Sequence, residues 1–297
     1  MEIKLILCPI DFSEFSIRAY HYAVSVAQHY RARLVAQHIV EFSRYPYAEY
    51  VASTGDYAAF CRGLRDGGKQ KLSEFVSAHT HGEIEPELEV HDGAAPDCIL
   101  LFAQERKTDL IVMGTHGRRG FDRLVLGSVT DRVMRRAPCP VLVISNLPNE
   151  STTEGRGGQH VHHLNRILFC TDFSENSERA LSYAISVTEE YDAELILLHV
   201  LEPVPSPAKT KIAVVRATEL LDKLIPPGKR KTLNNKSVVR TGKPYQQIIQ
   251  LVREAQIDMV VMGVRGRGTL DQAVFGSTTY RTLQLGSCPV LVVPIYP

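Results

Sequence analysis

Asp11-Phe12-Ser13-Glu14 recurs as Asp172-Phe173-Ser174-Glu175, an offset of 172 − 11 = 161 residues. Each quartet follows an apolar run, so a carboxylate stands where a buried strand would end. A carboxylate there can accept hydrogen bonds from the hydroxyl or amino groups of a ligand. A second constellation, Gly114, Gly117, Gly127 and Ser128, returns as Gly263, Gly266, Gly276 and Ser277 at an offset of 263 − 114 = 149. Both copies read G-x2-G-x9-G-S. Glycines permit close backbone approach, and a helix start offers unpaired N–H groups and the positive end of its dipole to an anion. Arg118, Arg119, Arg265 and Arg267 flank the loops as partners for phosphate oxygens. The chemistry indicated is phosphate holding, twice in one chain. The plainer alternative, glycines that only shape a strand-to-helix loop, is disfavoured by two copies at unchanged spacing, each with an Asp at another strand end.

Other motifs carry less. Gly63 to Lys69 fits the G-x4-G-K of a P-loop, but Gln70 stands where the metal-binding hydroxyl belongs and no buried strand precedes it. His160, His162 and His163 lie in a Gly/Ser/Thr-rich stretch without an acidic or Cys partner, and are read as linker. His38 and His199 sit near the ends of second strands, where packing or hydrogen bonding is expected rather than base catalysis. Neither Ser128 nor Ser277 lies in a G-x-S-x-G elbow. The six cysteines form no C-x-x-C pair and read as buried thiols.

The elements that must position these residues alternate. Ile3–Cys8 is a continuous apolar run, as in a strand covered on both faces. Ser13 can cap a helix over Glu14–His29 with Ala19, Ala23, Val26 and Ala27 on one face. Asp11 and Asp172 are then not needed for the cap and can meet a ligand; the plainer alternative is that each caps or shapes the turn into the helix. Leu34–Val40 is a second strand and Ala58–Thr80 a helix weakened by Gly63, Gly67 and Gly68. Glu85–Val90 reads as a more exposed strand and Pro96–Lys107 as a helix. Leu110–Met113, Ser128–Arg136 and Val141–Ile144 follow as strand, helix and strand. The second repeat has the same plan. Strict alternation implies an α/β fold: two tandem doubly wound parallel sheets with right-handed crossovers. Ligands of such sheets bind beyond the carboxyl ends of the strands.

The expected domains are residues 1–146 and 164–297, joined by a flexible linker over 147–163. The two offsets differ by 161 − 149 = 12, so the first repeat is longer between Glu41 and Val90. Tyr45, Pro46, Tyr47, Tyr50 and Tyr57 crowd that segment, which reads equally as a lid over the cleft or as a surface loop. With 34 basic and 33 acidic residues the net charge is +1, which gives no electrostatic drive toward nucleic acid or anionic membrane. No apolar run is long enough to span a bilayer, and the N-terminus lacks the pattern of a signal peptide, so the cytoplasm is expected.

Together, the G-x2-G-x9-G-S loops, the Asp after the first strand and the Cys-Pro-Val-Leu-Val endings at Cys139 and Cys288 resemble a tandem universal stress protein. The resemblance implies five-stranded, flavodoxin- or Rossmann-like sheets in the order 3-2-1-4-5. It implies ATP, with Mg²⁺, between strands one and four. The contacts it implies are Asp11, Ile39, Gly114, His116, Gly117, Gly127 and Ser128 in the first repeat. In the second they are Asp172, Val200, Gly263, Arg265, Gly266, Gly276 and Ser277. Val264 and Arg265 replace Thr115 and His116, so the second site departs from the family pattern. A regulatory or protective role is implied, with an unidentified protein partner. No catalytic base is evident, so hydrolysis is expected to be slow at most. The alternatives are a nucleotide-dependent transferase or hydrolase, and a nucleotide-free scaffold. An apolar last strand needs cover, so the repeats are expected to pair as an intrachain pseudo-dimer, with a homodimer as the alternative.

Overall fold

The structure, a computed structural model, describes residues 2–41, 57–80, 84–116, 126–144, 152–154, 160–202, 207–265 and 276–295. Glu2–Ile144 and His162–Pro297 form the bulk of two compact units, taken here in turn. In the first, the buried run Leu5–Ile10 is β1. Ser13 accepts a hydrogen bond from the Ser16 N–H and starts α1 (Glu14–Tyr30), whose small residues Ala19, Ala23 and Ala27 lie buried. β2 (Arg33–Val40), α2 (Tyr57–His79), β3 (Glu87–Asp92), α3 (Ala95–Glu105), β4 (Leu110–Gly114), α4 (Ser128–Arg136) and β5 (Val141–Ile144) follow. The strand order is β3-β2-β1-β4-β5, and every neighbouring pair is parallel. Right-handed crossovers then put α1 and α2 on one face, α3 and α4 on the other.

Three local readings shift. β1 and β3 each begin two residues later than the apolar pattern suggests. Gly63 and Gly67 do not interrupt α2, and a Cβ at either would meet nothing within 4 Å, so packing does not demand glycine there. Gly63 is exposed and Gly67 half-buried, so each costs only helix propensity, and the P-loop alternative is excluded because Gly63–Lys69 is interior helix.

The second unit repeats the plan. β8 (Arg166–Cys170), α5 (Glu175–Tyr191), β9 (Glu194–Leu201), α6 (Pro207–Leu224), β10 (Asn235–Thr241), α7 (Pro244–Glu254), β11 (Met259–Gly263), α8 (Ser277–Leu285) and β12 (Val290–Val293) give the parallel order β10-β9-β8-β11-β12. In sequence between β5 and β8, β6 (Thr152–Glu154) and β7 (His160–His162) pair as a two-stranded sheet inside the stretch expected to be linker. Thr and Val favour extended backbone there. Tyr45, Pro46, Tyr47 and Tyr50 lie outside the described residues.

At the amino edge of each sheet a carboxylate ties two strands. Asp109 Oδ2 accepts from the Lys4 and Leu5 N–H groups at 2.8 and 2.9 Å. Asp258 Oδ2 does the same for Asn165 and Arg166 at 2.8 and 2.9 Å. These bonds fix the central strand against β4 or β11. Cys139 and Cys288 lie buried in this region, and burial pushes each thiol up to about 12, which leaves them unreactive. Asp109→Ala and Asp258→Ala each strand two backbone donors, at a cost of about 2 kcal/mol. The melting temperature should fall by roughly 4–8 °C in each variant. Calorimetry showing no shift would mean that water replaces the carboxylate.

Candidate functional site

β1 ends in a turn that is the same in both repeats. Phe12 and Phe173 adopt left-handed backbone, φ 64° and 58°. That conformation is costly for a bulky side chain and persists only where its surroundings impose it. Two contacts do so. His38 Nδ1 hydrogen-bonds the Ile10 carbonyl at 2.8 Å, and its ring lies 4.5 Å from that of Phe12. His199 Nδ1 bonds the Thr171 carbonyl at 2.8 Å, with its ring 4.5 Å from Phe173. The histidines expected to pack or hydrogen-bond do both.

The aspartates are not spare. Asp11 Oδ1 accepts from the Ser13 N–H at 3.0 Å and from the Ser13 hydroxyl at 2.6 Å. Asp172 Oδ1 accepts from Ser174 at 3.1 and 2.6 Å. The serine caps the helix, as expected, but the aspartate aims the serine. This corrects the expectation that the carboxylate is free of the turn. The proximity of the two residues hid it, because an Asx turn is a local alternative to a cap.

Across the edge, Gly114 closes β4. A Cβ there would lie 2.8 Å from Phe15 Cβ and 2.9 Å from Phe15 O. Gly263 faces Asn176 O at 3.0 Å in the same way. These two glycines therefore serve the approach of the first helix to the fourth strand. Gly127 N–H donates to Thr115 O at 2.8 Å and Gly276 N–H to Val264 O at 3.1 Å. Those N–H groups are thus occupied rather than offered to a ligand. Thr130 Oγ1 donates to Gly114 O, and Thr279 Oγ1 to Gly263 O. α4 and α8 start on Gly127 and Gly276 with no side-chain cap. Their first N–H groups, beginning at Ser128 and Ser277, have no intrahelical acceptor.

His116 and Arg265 stand between these elements. His116 Nδ1 lies 3.0 Å from Thr115 Oγ1, and its ring is 5.1 Å from that of Phe15. His116 Nε2 and Arg265 Nε are buried without a hydrogen-bond partner among the described residues. Ile39 and Val200 are half-buried near the ends of β2 and β9, beside His91 and Arg240 of the neighbouring strands. The structure therefore brings Asp11, Gly114, His116, Gly127 and Ser128 to one sheet edge, with their counterparts at the other. Gly117, Gly266, Arg118, Arg119 and Arg267 lie outside the described residues. Phe15 escaped sequence reading, since it does not recur in the second repeat. Among the described residues, no three His, Cys, Asp or Glu side chains gather to hold a metal ion, and no helix is long and apolar enough to cross a membrane.

The family model described as "Universal stress protein family" matches residues 2–145 and again 163–294. The chain belongs to the universal stress protein family. A universal stress protein of Methanocaldococcus jannaschii is 33% identical over 147 residues, covering 50% of this chain and 85% of that protein. One from Mycobacterium tuberculosis is 30% identical over 196 residues, 63% of this chain and 62% of its own length. A universal stress protein structure from Archaeoglobus fulgidus superposes with a TM-score of 0.62 at 20% identity, over 98% of this chain and 96% of the other. That likeness bears on the fold alone.

In this universal stress protein, Asp11→Ala should lower the melting temperature of the ligand-free chain, because the Ser13 N–H and hydroxyl lose their acceptor. The expected cost is about 1–3 kcal/mol, and Asp11→Asn, which keeps an acceptor oxygen, should recover part of it. Equal melting temperatures for wild type and Asp11→Ala would show that the carboxylate is spare after all.

Proposed function

We propose that each repeat binds an adenine nucleotide, ATP above all, at the carboxyl edge between its first and fourth strands, and that occupancy governs a regulatory or protective role in the stress response, exercised in the cytoplasm. The observation that supports this most is the uncapped helix start at Ser128 and Ser277, each beside a side-chain nitrogen without a partner. Such a start favours phosphate oxygens through its N–H groups and dipole. Asp11 or Asp172 and Ile39 or Val200 then stand at the nucleoside end, as the family resemblance implies. Gly117 and Gly266 complete the phosphate loop in this proposal. Mg²⁺ enters as the counter-ion that ATP carries. Among the described residues no side chain at the edge is arranged as a general base, and the role proposed is binding rather than turnover.

The pairing of the two repeats through their apolar last strands belongs to the same proposal. A solution mass of one chain agrees with it, and an obligate two-chain mass counts against it. Titration calorimetry should give up to two ATP per chain. Ser128 sits at the start of α4, so Ser128→Pro, which removes the N–H, should weaken one site by roughly tenfold. A wild-type chain silent at millimolar ATP would end the nucleotide proposal.

A further inference from the structure

The net charge of +1 averages two unlike parts of the chain. Residues 207–236 hold eight Lys/Arg against two Asp/Glu, a net of 8 − 2 = +6, so the remainder carries 1 − 6 = −5. This basic stretch runs from α6 to the start of β10. Its counterpart in the first repeat, 58–87, holds four basic and five acidic residues. The sheet fixes the correspondence, since Val35 faces Glu87 and Ile196 faces Lys236, an offset of 236 − 87 = 149 on the outer strand. At that offset Leu72 matches Leu221, and both are wholly buried. The inward faces of α2 and α6 therefore agree. Their outward faces do not. Where the first repeat has Gly63, Asp66 and Lys71, the second has Ile212, Val215 and Leu220, which are 61%, 58% and 47% exposed.

α6 packs on β9 and β10, with Ala217 and Leu221 buried. At 100° per residue, Lys209, Ile212, Arg216, Leu220 and Lys223 fall on the opposite side within an arc of about 80°. Val215 lies beside them, so cations and aliphatic side chains alternate along one exposed stripe. Lys209, Arg216 and Lys223 have no ion-pair partner among the described residues. The acidic residues of the segment are Glu219 and Asp222, and Asp222 accepts from the Ser237 hydroxyl at 2.6 Å. Three aliphatic side chains held in water gain by burial, and the charge around them selects an anionic partner. Protein interfaces are depleted in lysine and enriched in aromatic residues and methionine. α6 has neither an aromatic residue nor a methionine. A duplex nucleic acid supplies the negative charge without an apolar interior. A lipid surface supplies both, with headgroups for the basic side chains and an acyl boundary for the aliphatic ones.

We propose that the outward face of α6 docks on an anionic lipid bilayer, with Ile212, Val215 and Leu220 at the acyl boundary and Lys209, Arg216 and Lys223 among the headgroups. Nothing in this depends on the nucleotide reading. The full chain is mixed with vesicles of phosphatidylcholine, alone or together with phosphatidylglycerol, and the bound fraction is measured by flotation. Binding should require the anionic lipid and should fall as salt rises. Each basic side chain near such a surface is worth roughly fivefold in affinity, so Lys209→Glu combined with Arg216→Glu should weaken binding at least roughly 25-fold. Ile212→Ser combined with Val215→Ser leaves the charge unchanged and should weaken it roughly tenfold or more. Both pairs occupy exposed positions, so their melting temperatures should match wild type. Lys69→Glu combined with Lys71→Glu, on exposed positions of α2, should leave binding unchanged. No vesicle binding at low salt, equal binding to neutral vesicles, or indifference to both α6 variants overturns the proposal. Duplex DNA bound more tightly than the vesicles, and undiminished in the serine variant, assigns the face to nucleic acid and overturns it as well. So does a doubling of the solution mass, without vesicle binding, that the serine variant abolishes, since the face then belongs to a second copy of the chain.

Discussion

The distance between the first turn of α1 and the end of β4 governs the sheet edge. A helix cannot pack that close to a strand terminus if the strand carries a side chain there. At Gly114 a Cβ would collide with Phe15, and at Gly263 with the backbone of Asn176. Core packing is too dense to absorb such an overlap without moving an element. Once the approach is made, the chain leaving β4 passes beside the start of α1. It is pinned there by bonds from the following helix, Gly127 N–H to Thr115 O and Thr130 Oγ1 to Gly114 O. The turn after β1, the residue after Thr115 and the start of α4 are thus brought to one place by a single missing methyl group.

Strain at the same edge has a related logic. Phe12 and Phe173 hold backbone conformations that a free chain would avoid, and the energy must come from elsewhere. A histidine from β2 or β9 supplies it by bonding the carbonyl two residues before the phenylalanine while its ring supports the phenyl ring. The second repeat adds a further brace. Thr171 Oγ1 accepts from the Phe173 N–H at 2.9 Å, whereas the first repeat has Ile10 at that position. Sheet register explains why a histidine can do this, since Ile10 and His38 lie directly opposite each other across β1 and β2.

What was legible in the sequence follows from how local each cause is. The alternation of elements, the Ser13 cap and the glycine spacing are short-range signals, and they placed the strands, α1 and the sheet edge. The Asp109 and Asp258 ties were invisible because donor and acceptor are about a hundred residues apart in sequence, 104 between Leu5 and Asp109. Nothing in their neighbourhood marks them except that both copies have an Asp there. The left-handed Phe12 was hidden for a different reason: propensity assigns positive φ to Gly and Asn, and only tertiary contacts impose it on Phe. Asp11 was read correctly as a strand-end carboxylate and wrongly as idle in the turn, because a cap by Ser13 does not exclude a second acceptor behind the serine.

A duplicated chain carries its own comparison. Features present in both copies, such as the histidine bond, the Asp turn, the closed glycine approach and the amino-edge carboxylate, are those that the fold needs wherever it is built. These are also the features whose causes lie in backbone geometry. Several differences between the copies fall on side chains beside those features: Phe15 against Asn176, Thr115 against Val264, His116 against Arg265. Replacing an imidazole by a guanidinium beside β4 or β11 leaves the strand register untouched. Divergence of that kind changes the side chains at the edge and leaves the backbone bonds around them in place. Two copies of one scaffold in a single chain can therefore diverge at these side chains while both keep the glycine approach, the Asp turn and the histidine bond that form the edge.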